Sequence, residues 1–305
     1  MSLALISLSS KAGEGFGENM DGSNNKESGR ILAAVDGSPS SRSAAYAAAQ
    51  MASLLHWSMH ALYVVDLTEA LEPYNPINRD LSELGDERPE GEKRLTLLEE
   101  QGLLVLEEVR TMCEKYTVSV TTEMMAGDIP SIILDAAGQY DILALGRRGN
   151  HHNGEMNHLG SNFRHIMHHC KTSVLVGASH DDRRNFRNLL LAYNGSDLSR
   201  CALGWTERLQ SLFKEKIVIS VGNEHLGQVW LKERESEITG SALVHPDFVT
   251  EIGEAPPSIS RLVLARKTDL LVMGGHHHSH LLEWAAHSTL NGVLREVDVP
   301  ILAAK

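Results

Sequence analysis

The 305-residue sequence is short of basic charge: 28 Lys and Arg stand against 40 Asp and Glu, a formal net charge of −12. General nucleic-acid binding needs a Lys/Arg surface that displaces counterions, and docking on anionic membranes needs one too, so neither is expected. No apolar run approaches the roughly 18–20 residues of a membrane span. The first residues carry no basic segment ahead of a short apolar stretch and make a poor secretory signal, so a cytoplasmic location is the expectation. Cysteine is scarce: Cys113, Cys170 and Cys201 are scattered and spell neither a disulfide framework nor a metal knuckle. They are expected to be inert packing residues. Also missing are Gly-x4-Gly-Lys-Ser/Thr, Gly-x-Gly-x-x-Gly after the first strand, His-Glu-x-x-His and Gly-x-Ser-x-Gly. No nucleophile is paired with a base, and no catalytic residue is assigned.

What is present is alternation. Residues 1–29 are rich in Gly, Ser, Asn and Glu and predict a disordered tail. From residue 30, short apolar runs (30–36, 60–65, 118–124, 141–145, 172–176) alternate with helical stretches at 39–57, 92–115, 129–139 and 161–168. Ser38 and Pro39 are placed as N-cap and first helical residue. Alternation of this kind predicts a parallel sheet with helices on both faces.

The second half repeats the series. Asn194-Gly195-Ser196 echoes Asp36-Gly37-Ser38, Gly253 with Pro256-Pro257 echoes Gly127 with Pro130, and DLLVM at 269–273 echoes DILAL at 141–145. The expected units are 30–179 and 186–305, joined by a charged linker, each with five parallel strands. Asp36 to Gly127 spans 91 residues and Asn194 to Gly253 spans 59, so the second unit is 32 shorter. The missing length is mostly an acidic loop at 66–92, which holds nine acidic and two basic residues. This loop reads as solvated.

Ligands of a doubly wound sheet sit at the carboxyl ends of its strands. After the fourth strand of the first unit stand Gly146-Arg147-Arg148-Gly149, then ten residues, then Gly160-Ser161 opening a helix. Glycines let backbone N–H groups approach an anion, and a helix start adds free donors and the positive end of the helix dipole. Arg148 can neutralise phosphate, and Asp36 faces the same crevice as an acceptor for a ribose or base donor.

These residues resemble the universal stress protein family in tandem form, over about 30–305. Its nucleotide-binding members carry Gly-x2-Gly-x9-Gly-Ser/Thr with an Asp ending the first strand. Asp36, Gly146, Gly149, Gly160 and Ser161 match, with a spacer of ten where the family has nine. The resemblance implies two flavodoxin-like domains and a stress-response regulator binding ATP or AMP, with or without Mg2+, hydrolysing slowly at most. It also implies a pseudo-dimer or dimer formed through the last strands. Val64 would contact adenine, with Arg148 and Asn162 near the phosphates. The full candidate set adds Val35 and Gly127. In the second unit Asn194, Gly274, His277, His287 and Ser288 hold the matching places. Two glycines have become histidines, so that site is expected to be degenerate. A scaffold that binds no nucleotide and a weak ATPase or self-phosphorylating enzyme are the alternatives.

Eleven of the sixteen histidines crowd these loops and the helix after the first: 151, 152, 158, 165, 168, 169, 276, 277, 278, 280 and 287. His165 and His169 share a helix face, which suits a metal or pH-sensing site. Solvated loop residues and phosphate contacts are the other readings. No spacing defines a tetrahedral set, and no metal is assigned.

Overall fold

A computed structural model describes residues 29–67, 90–149, 159–181, 183, 185–222, 227–275 and 288–305. The expected tail up to residue 28, most of the acidic loop, and His151, His152, His158, His276, His277, His278, His280 and His287 lie outside the described residues.

The first half runs β1 (Arg30–Ala34), α1 (Pro39–Leu55), β2 (Ser58–Asp66), α2 (Glu90–Lys115), β3 (Val120–Gly127), α3 (Ile129–Ala137), β4 (Ile142–Leu145), α4 (Ser161–His169) and β5 (Ser173–Val176). The second runs β6 (Asn188–Ala192), α5 (Asp197–Leu209), β7 (Glu215–Gly222), α6 (Gly227–Thr239), β8 (Asp247–Ile252), α7 (Ala255–Ala265), β9 (Leu270–Gly274), α8 (Thr289–Glu296) and β10 (Ile301–Ala304). The third strand runs to Gly127 rather than stopping at Met124, because β2 continues beside it to pair Asp66 with Gly127.

The ten strands of the described residues form one sheet, ordered β3-β2-β1-β4-β5-β10-β9-β6-β7-β8. Within each half every pairing is parallel; the halves join where β5 and β10 run antiparallel, Leu175 opposite Leu302. Each half therefore has the same strand order reflected about that seam, which is a flavodoxin-like sheet used twice.

Strand alternation sends neighbouring residues to opposite faces. Ile31 and Ala33 join a core under α1, α2, α5 and α6, while Leu32 and Ala34 join a core under α3, α4, α7 and α8. Both cores run unbroken across the seam. On the first face Trp57 meets Trp205 edge-on at 5.9 Å, and the Arg208 guanidinium lies over both rings. Helix α1 can lie close to the sheet because its buried face is alanine: 44, 45, 47, 48, 49 and 52. Trp205 and Leu209 are core, as their spacing predicts. Cys201 departs from expectation: Cys113 and Cys170 are buried, but Cys201 is exposed on α5. No described helix is long and apolar enough to cross a membrane.

Candidate functional site

The site of the first half is built from the start of α1. Asp36 Oδ1 accepts from the Ser38 N–H at 2.9 Å, and Gly37 supplies the φ of +77° that the turn requires. The Ser38 hydroxyl caps α1 by accepting from the Ser41 N–H, and donates to the Arg148 carbonyl at 3.0 Å. Ser40 Oγ accepts from the Arg147 N–H at 2.8 Å. Two serines therefore pin the β4–α4 loop onto the first turn of α1. Gly146 is needed for this approach: a Cβ there would stand 2.7 Å from the Ser41 nitrogen.

The other end of the loop returns to the same place. The Gly160 N–H donates to the Arg147 carbonyl at 3.1 Å. A ten-residue spacer thus still brings its two ends together. Gly160 is the N-cap of α4 and has no side chain to satisfy the first-turn N–H groups, so they open towards the cavity.

That cavity, about 260 Å³, is lined by Val35, Asp36, Leu62 and Val64 together with Gly146, Arg148, Gly149, Gly160, Ser161 and Asn162. Ile129, Ile133, Phe163 and Ile166 close its apolar floor. Every residue in the candidate set except Gly127 is on this wall. Gly127 ends β3 at φ +153° against the Ile132 side chain, so its glycine serves the backbone turn and not the cavity.

The second half repeats the frame with different chemistry. Gly195 takes φ +76°, Asn194 Oδ1 accepts from the Ser196 N–H, and Ser196 caps α5 through the Ser199 N–H. A Cβ on Gly274 would lie 3.1 Å from the Ser199 nitrogen, matching Gly146. Asn194, Gly274 and Ser288 line a cavity of about 420 Å³ with Tyr193, Ser196, Ser199 and Thr289. His277 and His287 fall outside the described residues. One difference is decisive for anion chemistry. Ser288 is itself the N-cap of α8 and accepts from the Asn291 N–H at 3.2 Å. The helix that opens the second cavity satisfies one of its own free donors; the helix that opens the first does not.

Sequence reasoning missed Arg147. It stands between the two loop glycines, at a place the motif leaves unspecified, yet its side chain is only 2% exposed. Its Nε donates to the Gly177 carbonyl at 2.7 Å, and its terminal nitrogens donate to Leu294, Val297 and Val299 carbonyls of the second half at 3.1, 2.8 and 3.0 Å. Burial pulls the guanidinium down to about 10, which leaves it charged at neutral pH.

The histidines of α4 pair with each other. His165 and His169 stack with ring centroids 4.4 Å apart, and a His169 ring nitrogen bonds the His165 carbonyl. Among the described residues no three His, Cys, Asp or Glu side chains are placed to hold a metal.

The universal stress protein family matches residues 27–177 and 221–305. The chain belongs to the universal stress protein family, as a tandem member. A universal stress protein of Synechocystis sp. is 26% identical over 287 residues, covering 89% of this chain and 98% of the relative. The same fold occurs in a universal stress protein from Archaeoglobus fulgidus, with a TM-score of 0.71 at 21% identity, covering 92% of this chain and 99% of that one. It occurs again in a Pseudomonas aeruginosa protein of unknown function, with a TM-score of 0.60 at 14% identity, covering 92% and 94%.

Proposed function

We propose that this universal stress protein binds an adenine nucleotide, ATP or AMP, in the cavity of its first unit (30–179), and serves as a stress-response regulatory module. The observation that carries the reading is the uncapped N-terminus of α4. Its first-turn N–H groups, left uncapped by Gly160, border an apolar cleft that Gly146, Arg148, Gly149 and Asp36 also line. Free N–H donors and a helix dipole favour phosphate, the guanidinium adds charge, and the apolar floor suits a base. Asp36 can accept from a ribose hydroxyl. Val35 and Val64 flank the base, and Ser161 and Asn162 stand at the phosphate end. A Mg2+ ion would arrive with the nucleotide's phosphates.

The second unit (186–305) binds such a ligand poorly: Asn194 replaces the carboxylate, and Ser288 caps the helix from within. Any hydrolysis is slow. Among the described residues no side chain is placed as a general base, and positioning alone supplies limited acceleration.

The experiment is identification of the co-purifying ligand by mass spectrometry after denaturation, paired with thermal shifts. An adenine nucleotide in the released fraction, and stabilisation by ATP or AMP of about 2.7 kcal/mol at a hundredfold excess over Kd, is the expected result. An empty protein with no shift in millimolar ATP or AMP would instead favour a scaffold that binds protein partners through its sheet edges or acidic loop.

A further inference from the structure

The two cavities are tied to each other through the seam by two cations drawn from non-equivalent positions, one buried and one half-buried. Arg147 is the first. Its backbone closes the first loop, through Ser40 Oγ on one side and Gly160 on the other, and its guanidinium ends on the carbonyls of Leu294, Val297 and Val299. The Leu294 and Val297 carbonyls are at the C-terminal end of α8, where the helix dipole favours a cation, and Val299 lies just beyond it. The N-terminal end of α8 opens the second cavity.

Lys305 is the second. Its Nζ donates to the Met167 carbonyl at 3.1 Å and to the Cys170 carbonyl, at the C-terminal end of α4. The N-terminal end of α4 opens the first cavity. With Ser161 matched to Ser288, Met167 corresponds to Leu294 and Cys170 to Val297, so each cation docks on the same carbonyls of the opposite half. The cations themselves do not correspond. The partner of Arg147 in the second loop is Gly275, whose N–H donates to Ala304 at 2.7 Å. A Cβ on Gly275 would meet Lys305 Cγ at 3.2 Å, so the lysine stem fills the space a side chain there would need. Loss of one long side chain is matched by another entering from the strand beside it.

The first loop is therefore attached through Arg147 to the helix that opens the second cavity, and the strand beside the second loop is attached through Lys305 to the helix that opens the first. The Arg147 attachment is buried and that of Lys305 half-buried, and each is made to backbone carbonyls in the last turn and C-cap of a helix, which move with that helix. We propose that Arg147 and Lys305 are positioning residues that couple occupancy of the first cavity to the order of α8 and the second cavity. This rests on nucleotide binding in the first cavity and specifies its regulation. A ligand that orders Gly146–Gly149 fixes the base of the Arg147 side chain, and with it the carbonyl end of α8. By linkage, whatever orders α8 tightens binding at the first cavity.

Hydrogen exchange of the full chain with and without ATP tests this. Native protein should slow exchange in peptides of 160–166, which report binding, and also in 289–299, which report coupling. In Arg147→Met, which keeps the stem and removes the donors, ATP should still protect 160–166 but no longer 289–299, and affinity should fall about fivefold or more. Protection of 160–166 without any change at 289–299 in native protein overturns the coupling and leaves nucleotide binding standing. Persistence of the α8 protection in Arg147→Met overturns it too. No protection anywhere in millimolar ATP overturns nucleotide binding, and the coupling with it. Should Arg147→Met not fold, Lys305→Met serves: a drop in ATP affinity of about fivefold or more is expected, and unchanged affinity contradicts the proposal.

Discussion

The N–H of Gly160 donates to the carbonyl of Arg147 at 3.1 Å, closing a loop whose ends are thirteen positions apart in sequence. The bond puts the open N-terminus of α4 beside the glycines of the β4–α4 turn. It also makes one residue answer to both sides of the seam, since the Arg147 carbonyl faces the first cavity's helix while its guanidinium holds the second half. Geometry at the first site is consequently sensitive to small changes around it, and the sensitivities differ in kind.

Gly146→Ala should destabilise the fold by about 1–3 kcal/mol, the usual cost of forcing extra volume into close packing. The added Cβ would meet backbone of Ser41 at 2.7 and 3.0 Å, which cannot swing aside as a flexible side chain can. Among the described residues Gly149→Ala meets only Asp36 Oδ2, at 3.2 Å, and should cost less. Urea denaturation of the two variants gives the ranking.

Ser38→Ala and Ser196→Ala remove matching N-caps, from α1 and α5. Each should lose about 1 kcal/mol of stability. Only Ser38 also donates to the Arg148 carbonyl, so only Ser38→Ala should weaken nucleotide binding as well. Paired denaturation and titration experiments separate the two effects.

Asp36→Asn should leave stability within about 0.5 kcal/mol, because Asn194 makes the same turn in the second half. Nucleotide affinity should drop about tenfold or more, the loss expected when a hydrogen bond to a charged acceptor becomes neutral.

Asp298 gives an acid-side prediction. Burial pushes its carboxyl up, but hydrogen bonds from Ser179 and His180 and the charge of Arg147 outweigh burial and hold it below 3.8. A carboxyl lowered in the folded state contributes stability that is present above its unfolded value and lost as pH falls through the folded one. Stability of the native chain should therefore fall more steeply below about pH 4 than that of Asp298→Asn. The side chain is 48% exposed, so added salt should shrink the difference.

Thiol labelling at neutral pH should modify Cys201 and spare Cys113 and Cys170 until the chain unfolds. Cys201 is exposed, whereas burial pushes the Cys113 thiol up to about 12 and raises that of Cys170. Peptide mapping after brief labelling checks this.

The frame of the site was legible because its parts have residue-type signatures. A carboxylate followed by Gly-Ser spells the turn and cap at Asp36–Ser38, and alternating apolar runs spell the order of strands and helices. Of the loop glycines, Gly146 serves a close approach the sequence did not spell, that of the Ser41 backbone. Arg147 was not legible, since its partners are carbonyls, which every residue possesses, and three of them lie in the other half of the chain. Gly127, one of the candidate binding residues, is not among those lining the cavity, and it shares a positive φ with Gly253, 153° against 149°. Cys201 was misread because burial on a helix depends on which face meets the sheet.

The most direct test of nucleotide binding in the first half alone is titration calorimetry of ATP and AMP into the full chain and two charge-insertion variants. Ser161→Glu puts a carboxylate at the phosphate end of the first cavity, on an exposed helix start that accepts acidic residues. Ser288→Glu does the same at the second. One nucleotide per chain for native protein and Ser288→Glu, and none for Ser161→Glu, is the predicted result. Failure of native protein to bind at millimolar nucleotide, or undiminished binding by Ser161→Glu, would contradict the account.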